Sequence, residues 1–369
     1  MNVYLDNAST TMLSQTMKEY LVSLLDVYGN PSSSHSIGEQ AKQIILNARN
    51  SVAKFINANS DEIIFTSGGS ASNTLAIKGF NIRRNGCVLY SPIAHKSIIM
   101  CVKNQVSYPL EVDKNGLINI RKLDRLCMMS RFSGSLLVVD YANSEIGTIQ
   151  NVKEIIDIAH YYGFKVYLDC TGSIPTIPLD VKELDVDMCG FSAHKLGALK
   201  GCGVLYKKSD IELKPVIYGS QEDGLFGGTE NVLGIASLGK AIEKIDYSSI
   251  TPKNRDYVYN YIIKNISDSY LVGSMENRLP HNLYMCFRRI EGEALVILLD
   301  MDGIQVSTGS ACNNNSLSPS NTLSAIGIDK DDIFSCIRMS FSGKETTEEL
   351  DYVCDRIKKD VDSLRLLLK

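Results

Sequence analysis

From about residue 40 to 240 the chain alternates between two hydrophobic periods. Apolar residues recur at helical spacing over 41–56, 72–80 and 152–162. Short apolar runs fall at 62–66, 88–91, 135–140, 165–169, 188–191 and 203–206. Near-continuous apolar runs suit strands buried on both faces, and the helices between them supply the cover. The alternation predicts an α/β fold with a mostly parallel sheet flanked by helices. After about residue 250 the order changes. Helical patterns at 257–266, 292–299 and 347–367 bracket strand patterns at 282–286 and 335–340, with a polar stretch at 307–320. That order predicts a smaller α+β domain. A chain of 369 residues exceeds what one compact core usually holds. The expected division is a large domain over 14–248 and a small one built from 1–13 and 249–369.

In a sheet of this kind ligands bind at the carboxyl ends of the strands. Ser67–Ser70, His95, Asn143–Glu145, Asp169 and Ser192–Lys195 all fall at such ends. The run Asp187-Met-Cys-Gly-Phe-Ser-Ala-His-Lys195 carries an amine to the mouth of the sheet. A lysine there becomes a nucleophile once desolvation or nearby positive charge lowers its pKa; a solvated surface lysine is the ordinary alternative. Asp169 closes a buried strand and needs a cationic or N–H partner. A protonated pyridine nitrogen is one such partner, and a helix cap or ion pair is another. Thr66-Ser-Gly-Gly-Ser-Ala-Ser-Asn73 reads as strand, turn and helix start, so the amides around Gly69 and the Ser70 hydroxyl suit a phosphate; an ordinary capped turn gives the same pattern. His95 can stack on a flat ring or cap a helix. Cys312, in Ser307-Thr-Gly-Ser-Ala-Cys312, has small and polar neighbours, the setting of an accessible thiol. Arg338, on a predicted strand, matches a carboxylate through two parallel hydrogen bonds or makes a surface ion pair.

Composition removes other classes of function. A net charge of −4 with scattered Lys and Arg gives no nucleic-acid footprint. No apolar run is long enough to cross a bilayer, and the N-terminus shows no signal-peptide pattern. The ten cysteines include no CxxC pair, so neither a metal site nor a disulfide framework is expected. Scattered free thiols point to a reducing cytoplasm.

Taken in order, these segments resemble the cysteine desulfurases of the IscS/NifS type, within the fold-type I pyridoxal-phosphate enzymes. The resemblance runs from Tyr4-Leu-Asp-Asn-Ala-Ser-Thr-Thr11 through Gly29-Asn-Pro-Ser-Ser-Ser-His35, Phe65-Thr-Ser-Gly-Gly69, Asn143-Ser-Glu-Ile-Gly147 and Leu168-Asp169. It continues with Ser192-Ala-His-Lys195, Gly228-Thr229 and Ser307–Cys312, and ends with Ile337-Arg338 and Thr346-Thr-Glu-Glu349. It implies that Lys195 carries pyridoxal phosphate, Asp169 holds the pyridine nitrogen and His95 lies on the ring. It implies further that Ser70, Ser192 and His194 hold the phosphate, that Thr229 reaches the phosphate of a neighbouring subunit in a homodimer, and that Arg338 binds the carboxylate of L-cysteine. Cys312 would take the sulfur as a persulfide and pass it to an acceptor such as an iron–sulfur cluster assembly scaffold or a thiolation enzyme. A lyase or aminotransferase with the same cofactor, or a weakened relative serving as a complex subunit, are the alternatives.

The chain departs from the family at several of these positions. The usual glutamine three residues after the strand-end aspartate is Gly172, and the second asparagine of Asn-Asn-Glu is Ser144. The arginine before the Ser-Gly-Thr triplet is Phe226, and the triplet reads Gly227-Gly-Thr229. The Gly-Ala-Thr-Glu turn reads Gly-Gly-Ser-Ala, and Leu199 replaces a proline. The first two changes remove hydrogen-bond donors expected at the cofactor's phenolic oxygen.

Overall fold

The computed structural model describes residues 1–82, 86–129, 134–309 and 319–367. A two-residue strand, β1 (Val3–Tyr4), opens the chain. The next seven are β2 (Ile63–Thr66), β3 (Val88–Tyr90), β4 (Ser107–Pro109), β5 (Leu136–Asp140), β6 (Lys165–Asp169), β7 (Met188–Ser192) and β8 (Gly203–Lys207). They form one sheet in the order β2-β8-β7-β6-β5-β3-β4. β4, β3, β5, β6 and β7 run parallel, as the sequence predicts, whereas β8 is antiparallel to both neighbours. The connection from β7 to β8 explains the reversal: it spans only 193–202, too little for a crossover helix.

Side chains alternate between the two faces of this sheet. Phe65, Leu137, Val139, Leu168, Phe191 and Val204 enter one core, with helices Ser36–Phe55 and Val232–Ile242 against them. Ile64, Val88, Leu136, Val138, Tyr167, Met188 and Leu205 enter the other, beneath helix Gly69–Gly79. The period of two decides the chemistry as well as the packing. Asp140 and Asp169, two residues beyond Val138 and Tyr167, lie on the second face under that helix.

The remaining strands are β9 (Ser269–Leu271), β10 (Asn282–Phe287), β11 (Ile304–Gln305) and β12 (Cys336–Ser340). An antiparallel sheet of order β12-β10-β9 is covered by helices Lys253–Asn265, Gly292–Met301 and Thr347–Leu367. The N-terminal segment joins this unit: β1 pairs with β11, and Ser340 N donates to Leu5 O at 2.6 Å. It then runs back to the large sheet, where Thr11 N and Oγ1 both donate to His194 O. A cluster containing Ile93, Ile146, Val272, Tyr284 and Leu323 fills the space between the two sheets. The sequence reading has no counterpart for helices Gln15–Ser23, Ile120–Met129 and Val232–Ile242. The last is rich in Gly and Ala and buried over most of its surface, which removes the polar half of a helical pattern.

Candidate active site

β6 delivers Asp169 to the floor of a cavity of about 570 Å³ at the carboxyl edge of the large sheet. The carboxylate is 5% exposed and is fixed by neutral donors. Thr171 N donates to Oδ1 at 2.9 Å, and Asn73 Nδ2 donates to Oδ2 at 3.0 Å. Asn73 projects from helix Gly69–Gly79, donates also to Ser97 Oγ and accepts from the Tyr167 hydroxyl. Tyr167 reaches it because residue 190, on the adjacent strand, is glycine; a Cβ there would collide with the hydroxyl. A buried carboxylate held by neutral donors alone leaves a place for a cationic ligand.

The β7–β8 turn supplies the next wall. Ser192 Oγ accepts from Gly69 N at 2.9 Å, tying the turn to the N-terminus of helix Gly69–Gly79. Gly69, Ser70, Ser192, His194 and Lys195 all line the cavity. Burial, reinforced by the charges of Lys195 and Lys200, pulls the His194 imidazole down to about 4, so it is neutral at pH 7. Its Nδ1 meets Thr10 Oγ1 at 3.2 Å. Across the cavity His95 caps helix Lys96–Val102, with Nδ1 2.8 Å from Ser97 Oγ. Ser97 thus joins His95 to the Asn73–Asp169 pair.

The third wall comes from the smaller sheet. Arg338, on β12, is 4% exposed. Nη2 donates to Asp6 Oδ1 at 2.8 Å and Ser9 Oγ at 2.6 Å, and Nη1 donates to Ser144 O at 3.0 Å. Nε is buried and has no partner among the described residues. The guanidinium therefore already holds one internal carboxylate, and its Nε hydrogen is left unused. Glu145, in the adjoining turn, accepts from the Tyr284 hydroxyl at 3.2 Å, and burial raises its carboxyl pKa. Ser307 exchanges both backbone hydrogen bonds with Arg338. Gly309 and Pro319, which flank the segment carrying Cys312, line the cavity.

One cavity thus gathers Gly69, Ser70, His95, Asp169, Ser192, His194, Lys195 and Arg338. Thr229 is exposed and outside its lining. Cys312 lies outside the described residues; the other nine cysteines are all buried. Sequence reasoning missed Asn73, Asp6 and Ser9 as site residues. Asn73 lies about one turn into the helix after a Gly-Ser turn, but only its burial in the fold marks it as a site residue. The departures also acquire a physical shape. A Cβ on Gly172 would lie 2.6 Å from Ala142 O and 3.4 Å from Ser144 Cβ, so the turn that follows β5 fills the space a side chain at 172 would need. Phe226 packs against the core under helix Gly69–Gly79.

Comparison with known proteins agrees with this geometry. Residues 3–353 match the family described as Aminotransferase class-V. The cysteine desulfurase IscS of Dictyoglomus turgidum is 38% identical, over 99% of this chain and 96% of its own length. A NifS-like protein from Rickettsia africae superposes with a TM-score of 0.90 at 30% identity, covering 98% of this chain and all of its own. A structure of SspA in complex with cysteine gives 0.81 at 28% identity, covering 94% of this chain and all of that one.

Proposed function

Because the chain belongs to the aminotransferase class-V family, we infer that it is a pyridoxal-phosphate-dependent cysteine desulfurase, converting L-cysteine to L-alanine. The observation that carries this reading is the meeting of Asp169, Lys195 and Arg338 in one cavity whose wall includes both flanks of the Cys312 segment.

The residues present fit the cofactor. Asp169 offers a buried anionic acceptor for a protonated ring nitrogen. The Gly69 turn, Ser70, Ser192 and the neutral His194 offer donors to a phosphate at a helix N-terminus. His95 offers a flat face, and Lys195 an amine for covalent attachment. Thr171 Oγ1 is buried without a partner among the described residues, as a donor awaiting a ligand would be. Bound there, pyridoxal phosphate supplies an electron sink that loosens the Cα proton and the Cβ–S bond of the substrate.

The chain's own groups do the rest. Arg338 takes the substrate carboxylate and fixes its orientation; Asp6 and Ser9 hold the guanidinium in place beforehand. The Lys195 amine moves the proton at Cα. The Cys312 thiolate attacks the substrate sulfur, so an S–S bond forms as the Cβ–S bond breaks and alanine departs. The nine buried thiols cannot play that part. The persulfide then passes to a protein acceptor, for which iron–sulfur scaffolds and thiolation enzymes are the candidate classes. Thr229, exposed in a single chain, suits a contact with the phosphate of a second copy, and the active form proposed is a homodimer. The same reading divides the chain into units 14–248 and 1–13 plus 249–369, and places the protein in the cytoplasm. Among the described residues no helix is long and apolar enough to cross a membrane, and no cluster of metal ligands occurs.

Purified protein loaded with pyridoxal phosphate should release sulfide and alanine in equal amounts from cysteine and a thiol reductant. Cys312→Ala should lose persulfide formation and keep the bound cofactor's visible absorbance. Cofactor absorbance without sulfide from the parent enzyme would favour a lyase or aminotransferase acting on another amino acid.

A further inference from the structure

β5 ends in an acid that the roles above leave unused. Asp140 pairs in register with Asp169 on the neighbouring strand, on the same face of the sheet. It is 5% exposed and lines the same cavity. Asp169 has two donors, but neither Asp140 oxygen has a hydrogen-bond partner among the described residues. The groups that face it are Asp169 from β6, Ser91 from the end of β3 and Asn143 from the turn after β5. Ser91 and Asn143 offer it donors short of full hydrogen bonds; the Asn143 amide also donates to Ile93 O, and its Oδ1 accepts from Glu145 N and Ile146 N. The basic side chains that line the cavity, among them His95, Lys96, Lys195 and Arg338, come from other segments of the chain. A buried carboxyl so weakly supported is destabilising, and an apolar side chain would serve packing better. Both unpartnered oxygens stand beside the residue that meets the ring nitrogen.

Resting on the desulfurase reading, we propose that Asp140 is a second anionic group of the cofactor site, acting beside Asp169 to tighten binding of the protonated pyridine ring. Two carboxylates on adjacent strand ends deepen the negative potential where the ring nitrogen sits, so the nitrogen holds its proton more firmly. Burial, with the Asp169 charge adding to it, raises the Asp140 carboxyl to about 6. The second charge is therefore present at neutral and alkaline pH and is lost as pH falls below that value.

The test is titration of the cofactor-free full chain with pyridoxal phosphate, followed by visible absorbance, at pH 5 and pH 8. Asp140→Asn should weaken binding about tenfold at pH 8, the scale of one partly screened charge contact, and much less at pH 5. Asp140→Leu, which removes charge and polarity together, serves if the asparagine variant does not fold. With the 1-deaza analogue, which lacks the ring nitrogen, parent and variant should bind alike. Equal affinities at pH 8, the same ratio at both pH values, or a ratio that persists with the analogue would each overturn the proposal. A parent chain that binds no pyridoxal phosphate removes the desulfurase reading as well. Tight binding by the parent with an indifferent variant removes only the role of Asp140.

Discussion

If Asp140 is kept for the cofactor, the cofactor-free fold must be the less stable for it. Consider Asp140→Asn in that state. The carboxyl titrates at about 6 in the folded protein, against an ordinary value of 3.8, chiefly because it is buried. Below pH 3.8 it is protonated in both folded and unfolded chains, and no penalty exists. As pH rises toward 6 the unfolded chain ionises first, and stability falls; above 6 the loss is constant. The full penalty is about 3 kcal/mol at ~1.36 kcal/mol per pH unit, of which about 1.4 falls between pH 5 and 8. The asparagine amide is itself buried without a partner, at a cost of about 1–3 kcal/mol that does not depend on pH. The readout is therefore the change in the difference, not the difference at one pH. Urea unfolding of cofactor-free parent and variant at pH 5, 6, 7 and 8 should show the variant gaining on the parent by about 1.4 kcal/mol across the series. Parallel stability curves would mean that the carboxyl titrates normally, and the account of its burial would be wrong.

Arg338→Lys should raise KM for cysteine by roughly tenfold or more while cofactor affinity stays unchanged, because an ammonium cannot match a carboxylate with two parallel bonds; steady-state kinetics beside a cofactor titration separates the two. Asn73→Ala should weaken pyridoxal phosphate binding, since Asp169 loses a fixed donor, and should destabilise the fold by about 1–3 kcal/mol by stranding the Tyr167 hydroxyl; absorbance titration and urea unfolding read the two effects. Gly172→Gln, which returns the residue usual in the family, should lower stability by about 1–3 kcal/mol through overpacking against Ala142 O, with no gain in cofactor affinity.

The sequence disclosed the sheet and most of the rim because each rests on a local pattern. β5, β6 and β7 are buried on both faces, so their composition alone marks them. Lys195 and Asp169 stand out because a charged residue ends a run that is otherwise apolar. Direction of pairing is less local. β8 looks like its neighbours in composition, and only the ten-residue link from β7 to β8 marks it as the antiparallel strand.

What stayed hidden depends on residues far apart in the chain. Asp6 and Ser9 reach Arg338 across more than 320 positions, and nothing near position 6 signals a guanidinium. Asn73 looks like any polar helix residue until β6 is placed beneath it. Gly172 illustrates the limit from the other side. As sequence it reads as a lost donor; in space it lets the Ala142–Ser144 turn close over the site, so positions 172 and 144 form one packing unit. The same turn joins Asp140 to Asn143. Changes at 140, 144 and 172 therefore act on one another, and their effects on cofactor binding should not add when combined, as expected for residues sharing a contact.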